Sequence, residues 1–168
     1  MRVRVIGFVL VLALTSVGVA AADGDANSRA HLTGSEEVPP NDSLGQGQAI
    51  FKLSNDETEL GYRLVVANIE NVVASHIHLG PAGVNGPVVA FLAGPFPAGG
   101  GRVDGVLAEG TVTAANLVGP LAGQPLSALV SAMEAGNTYV NVHTNDGIAP
   151  VTNLPGDIPG GEIRGQIG

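Results

Sequence analysis

Four histidines occur in the chain, and three of them are spaced for metal chemistry. His76 and His78 stand at i and i+2 in Ser75-His76-Ile77-His78. In a β-strand that spacing sends both side chains to one face. The opposite face carries Val73, Ile77 and Leu79, an apolar stripe. His143 closes Tyr139-Val140-Asn141-Val142-His143, where Val140 and Val142 are the apolar positions and Tyr139, Asn141 and His143 face the other way. If the two strands are neighbours, three imidazoles converge. Neutral imidazole nitrogens suit Zn, Cu or Fe, so the cofactor predicted is one such ion.

A last segment adds polar neighbours. Ile163 and Ile167 form its apolar face, and Glu162, Arg164 and Gln166 its polar face. Glu162 is a candidate fourth ligand, or an acceptor that orients a histidine N–H. Asp146, three residues after His143, could serve in the same way. Arg164 would stand beside the Glu162 carboxylate, either pairing with it or drawing an anionic substrate. A plainer reading stands against the metal: polar side chains on the solvent face of antiparallel strands need no ligand. His31, in Arg29-Ala30-His31-Leu32, is read as a surface residue.

The elements that must position these groups are short and alternating, with Gly, Pro, Asn and Asp between them. Ala49, Phe51 and Leu53 share one face of 45–53, and Leu60, Tyr62, Leu64 and Val66 share one face of 59–66. Ser54-Asn55-Asp56-Glu57 between them is turn chemistry, so the pair reads as a hairpin. Strands are predicted over 72–79, 88–92, 105–112, 138–144 and 162–167. One short helical turn is predicted after Thr113 and a helix over 125–135, where Leu126, Leu129, Val130 and Met133 fall on one stripe before Gly136. Residues 94–101 and 145–160 are rich in Pro and Gly and read as loops. The fold class predicted is all-β: an antiparallel, immunoglobulin-like β-sandwich or barrel with one or two short helices.

Residues 1–22 read as a signal peptide. Arg2 and Arg4 precede the apolar run Val5 to Leu14, and Ala20-Ala21-Ala22 offers a cleavage pattern. The apolar run is short for a membrane span, which needs about 20 residues. Residues 23–29 read as a flexible leader and 30–168 as one domain. Cleavage would take the seven basic residues to five against fifteen acidic, and the net charge from −8 to −10. Such a surface excludes phosphate neutralisation by clustered Lys and Arg, so no nucleic-acid partner is expected. The absence of Cys from the 168 residues excludes disulfides and thiolate metal sites. The chain shows no nucleophile elbow, no phosphate loop and no D-x-D-x-D-G calcium pattern. Glu36 and Glu37 are adjacent, so an extended backbone would point them apart and make a poor acid–base pair.

Five stretches taken in order resemble a CHRD domain, the module named after chordin and found singly in many exported microbial proteins. They are Leu32-Thr33-Gly34-Ser35-Glu36-Glu37-Val38-Pro39-Pro40, Gly45-Gln46-Gly47-Gln48-Ala49, His76-Ile77-His78-Leu79-Gly80-Pro81-Ala82-Gly83, Tyr139-Val140-Asn141-Val142-His143-Thr144 and Gly161-Glu162-Ile163-Arg164-Gly165-Gln166-Ile167. The resemblance covers about residues 30–168 and implies an immunoglobulin-like, all-β domain. In chordin the module belongs to an antagonist of bone morphogenetic proteins. With one copy and no Cys-rich modules here, that partner is not carried over. The H-x-H strand and the Gly-Glu-Ile-Arg-Gly ending are also similar to Cu,Zn superoxide dismutase. Too few histidines for two metals and no disulfide reduce what that similarity implies to a mononuclear site.

The expected function is that of a secreted or periplasmic single-domain module. It would bind or scaffold a protein or polysaccharide partner and hold one Cu, Zn or Fe ion through His76, His78 and His143, with Glu162 nearby. No membrane span is expected once the signal is removed. The alternatives are a small superoxide dismutase-like or other redox metalloenzyme at the same residues, and an adhesion or matrix module without metal.

Overall fold

The computed structural model describes residues 27–168. The segment read as a signal peptide, and residues 23–26 of the leader, lie outside them. Eight strands run in the order β1 (Asn27–Thr33), β2 (Gln46–Leu53), β3 (Leu60–Glu70), β4 (Val72–Leu79), β5 (Val88–Ala93), β6 (Arg102–Val112), β7 (Thr138–Thr144) and β8 (Ile163–Gln166). Among the described residues one α-helix, α1 (Leu126–Glu134), precedes β7, and three single 3-10 turns cover Gly34–Glu36, Ala114–Asn116 and Gly119–Leu121. The strands form a single antiparallel sheet in the spatial order β5-β4-β7-β8-β1-β2-β3-β6. The all-β architecture is therefore as expected. The sheet curls until its edges, β5 and β6, lie against each other, so the domain is a nearly closed barrel. The Tyr62 hydroxyl donates to the Leu92 carbonyl at 2.6 Å across that seam.

Alternation explains the closure. Every other residue of β2, and of β3 as far as Val66, turns inward, including Ala49, Phe51, Leu64 and Val66, and meets Ile77, Val140, Val142 and Ile163 from β4, β7 and β8. Helix α1 adds Leu126, Leu129 and Met133 to the same core. This single apolar interior supplies the fold's main driving force. Thr113 and Asn116 form a reciprocal capping box around the turn predicted after Thr113.

Three strands depart from expectation. β1 takes in Asn27 to Arg29, which the sequence places in a leader, and pairs Asn27 to Thr33 with Lys52 to Gln46. Only Ala30 and Leu32 of β1 belong to the core, too few to show a period. β3 runs on to Glu70 and β6 starts at Arg102, because their ladder continues past two irregularities near Leu64 and Val66. A bulge breaks the two-residue alternation and hides the strand from a periodicity reading.

The strands that matter for the histidines are β4 and β7. They pair in register, with His76 opposite Asn141 and His78 opposite Tyr139. β8 lies on the other side of β7, with Arg164 opposite Asn141. Gly165 is required there: a Cβ would collide with the His31 carbonyl of β1.

Candidate metal centre

The ladder between β4 and β7 brings His76, His78 and His143 together. One ring nitrogen from each lies within 4.8 Å of the others. The His76 and His143 ring centroids are 4.9 Å apart, and those of His76 and His78 5.7 Å. The closest approach is 3.1 Å, from His76 Nδ1 to His143 Nε2. Nitrogens bound tetrahedrally to one ion stand roughly 3.4 Å apart, so little movement separates this arrangement from coordination.

Two backbone carbonyls orient the rings. His78 Nδ1 lies 2.8 Å from the Gly86 carbonyl, and His143 Nδ1 2.9 Å from the Pro159 carbonyl. A carbonyl only accepts, so both rings carry their hydrogen on Nδ1 and a lone pair on Nε2. His78 Nε2 is buried and has no partner in the protein. An unsatisfied buried acceptor costs about 1–3 kcal/mol, and a metal ion would relieve that cost. On this observation the residues fit an imidazole-bound metal ion.

Burial keeps all three rings in the neutral form that binds metal. It pushes His76 down to about 4, helped by His143 and His78. Burial also lowers His78, against the Gly86 carbonyl, and the Arg164 charge lowers it further. His143 is lowered by burial against the Pro159 carbonyl. A ring that resists protonation stays available as a ligand at mildly acidic pH.

The face that carries the rings is covered, which corrects its reading as a solvent face. Tyr139, Asn141, Glu162 and Arg164 are all buried. The loop 80–87 closes one side and the loop 145–161 the other, through Gly86 and Pro159. The Tyr139 ring stacks on His78 with centroids 4.8 Å apart and planes 15° off parallel. The Arg164 guanidinium lies 3.4 Å over the Tyr139 ring. Phe91 of β5 meets His76 edge-on at 4.9 Å and is half exposed, so it stands at the outer rim.

Glu162 is not part of the cluster. Its Oε1 accepts from Ser43 Oγ at 2.6 Å, and its Oε2 from Thr144 Oγ1 at 2.6 Å and the Gly156 N–H at 2.7 Å. The carboxylate pins loops 41–45 and 154–157 to β7, with both oxygens engaged there and neither in the imidazole cluster. Asp146 turns to its own loop and accepts from the Ile148 N–H. Arg164 pairs with neither: it donates to Asn85 Oδ1 and to the Pro81 and Val84 carbonyls. So enclosed, it cannot reach out to an anionic substrate. His31 is exposed on β1, as expected.

Glu37, set aside in the sequence, proves to be buried at 5% exposure. It caps the turn Gly34–Glu36 with an extended backbone of its own, and its side chain is buried while that of Glu36 is exposed. The Glu37 Oε1 has no partner. Burial raises its carboxyl to about 7, against the opposing pull of Arg164. Gly86 and Pro159 were also missed as orienting groups. The Asn85-Gly86-Pro87 turn was the available signal, since it places a carbonyl close behind the histidine strand.

A curled antiparallel sheet with an enclosed cluster of imidazoles defines a small all-β module with a candidate metal centre. The family model of the CHRD domain matches residues 28–167, so the chain belongs to the CHRD domain family. Among curated proteins none matches the chain. No helix of the described residues is long and apolar enough to cross a membrane.

Proposed function

We propose that this CHRD module is an exported metal-binding domain that holds one transition-metal ion, Cu, Zn or Fe, through His76, His78 and His143. The observation that carries the reading is the buried, partnerless Nε2 of His78, facing two further neutral imidazoles. Two backbone carbonyls hold His78 and His143 from behind, so that each presents its Nε2 lone pair to the cluster. Three protein ligands leave a coordination position for water or a ligand group. Export is supported by the amino-terminal sequence pattern alone. A protein or polysaccharide partner would meet the half-exposed rim at Phe91.

Metal analysis and calorimetry of the purified chain test the reading. One equivalent of metal is expected, and it should be lost in the His76→Ala/His78→Ala/His143→Ala variant. Equal metal content in both proteins would overturn it.

A further inference from the structure

We propose that the buried guanidinium of Arg164 makes the three-histidine centre selective for monovalent copper over divalent ions. The inference rests on the metal reading above and assigns that site its ion.

The donor set is the first reason. Three neutral imidazoles make up the cluster, without a carboxylate or thiolate. A bound ion therefore keeps its full charge inside the protein. The second reason is the permanent cation beside it. Arg164 is 1% exposed, and its partners at Asn85, Pro81 and Val84 are all uncharged. Tyr139 carries both the guanidinium and the His78 ring on its π surface. The repulsion between Arg164 and a bound ion scales with the ion's charge, so a divalent ion meets twice the penalty of a monovalent one. Burial withholds the water that would screen it.

Glu37, ionised at pH 8, opposes this field in part. Glu162 turns its oxygens to three neutral donors outside the cluster, and Asp146 turns to its own loop. Glu37 is the carboxylate that feels Arg164. Ligand softness does not override the effect, because imidazole accepts copper and zinc alike.

The test is a ratio of affinities measured on the same full-length protein. Cu(I) is competed anaerobically with a chromophoric Cu(I) chelator, and Zn(II) with a chromophoric zinc chelator, at pH 8. The wild type is expected to hold Cu(I) more tightly than Zn(II). Arg164→Met should move the ratio toward Zn(II) by about tenfold or more. Arg164→Lys, which keeps the charge and loses the planar stack, should stay near the wild-type ratio. Glu37→Gln removes the opposing carboxylate and should move the ratio a few-fold toward Cu(I).

Tighter Zn(II) binding in the wild type, or equal shifts in the Met and Lys variants, would overturn the charge role. If Arg164→Met does not fold, Glu37→Gln decides: no shift, or a shift toward Zn(II), counts against the proposal. The triple-alanine variant keeps the two claims apart. If it binds both ions as the wild type does, the metal centre itself is wrong, whatever the ratio.

Discussion

His76 Nδ1 and His143 Nε2 lie 3.1 Å apart on adjacent strands, and the second of these nitrogens must be the acceptor. His143 already donates from Nδ1 to Pro159. In the metal-free chain His76 therefore carries its hydrogen on Nδ1 as well. We expect nitrogen-15 spectra of the metal-free protein at neutral pH to show three neutral rings, all protonated at Nδ1. Adding the metal should move the Nε2 resonances of His78 and His143. An Nε2–H tautomer at His78 or His143 would contradict the carbonyl contacts.

Gly86 sits where the loop 80–87 passes closest to β4. A Cβ there would fall on the Leu79 carbonyl, so no side chain fits. Gly86→Ala should push the loop outward and break the contact to His78 Nδ1. The predicted loss of stability is about 1–3 kcal/mol. Metal affinity should fall about 10- to 100-fold, as for the loss of an orienting partner. Calorimetric titration beside thermal unfolding measures both.

Glu162 separates a structural carboxylate from a ligand. Glu162→Ala leaves Ser43, Thr144 and the Gly156 N–H without their acceptor. Stability should drop by about 3 kcal/mol or more, since a hydrogen bond to a charged group contributes about 1.5–3 kcal/mol. In the folded fraction the metal stoichiometry should persist at one. Loss of the metal without loss of stability would restore Glu162 as a ligand.

Glu37 should make the stability of the protein depend on pH. Its carboxyl is raised from 4.5 to about 7 by burial. Between those values the unfolded chain has released the proton and the folded chain still holds it. The contribution is complete below pH 4.5 and is lost as pH rises toward 7. Glu37→Gln cannot titrate. Wild-type stability relative to that variant should therefore fall across this window by up to about 1.4 kcal/mol per pH unit. Urea unfolding of the metal-free proteins at several pH values checks the sign.

Much of this was legible in the sequence. The limits of β4 and β7 agree with the alternation of Val and His, and the helix with its leucine stripe. The convergence of the three histidines needed only that β4 and β7 be neighbours. What stayed hidden depends on loops. Glu162 shares a polar face with Arg164, and a face alone does not tell whether Ser43, 119 residues away, will claim its oxygen. Glu37 was read only as a poor acid–base partner of Glu36, because its burial depends on the packing around a single 3-10 turn. β1 was lost because two core residues show no period. The cover over the imidazole face has no local signature, since its carbonyls come from turns whose sequence says only that they turn.

The partners His76 and His143 are 67 residues apart in the chain and meet only through the ladder of β4 and β7. An unfolded chain offers an H-x-H pair and nothing more. The third donor arrives only when β7 pairs with β4, across the β5, β6 and α1 that separate them along the chain. Capture of an ion thus follows the slow, non-local steps of assembly rather than guiding them. If the centre holds metal, the ion is chosen from whatever surroundings the chain finishes folding in, and its release would be limited by the parting of two strands.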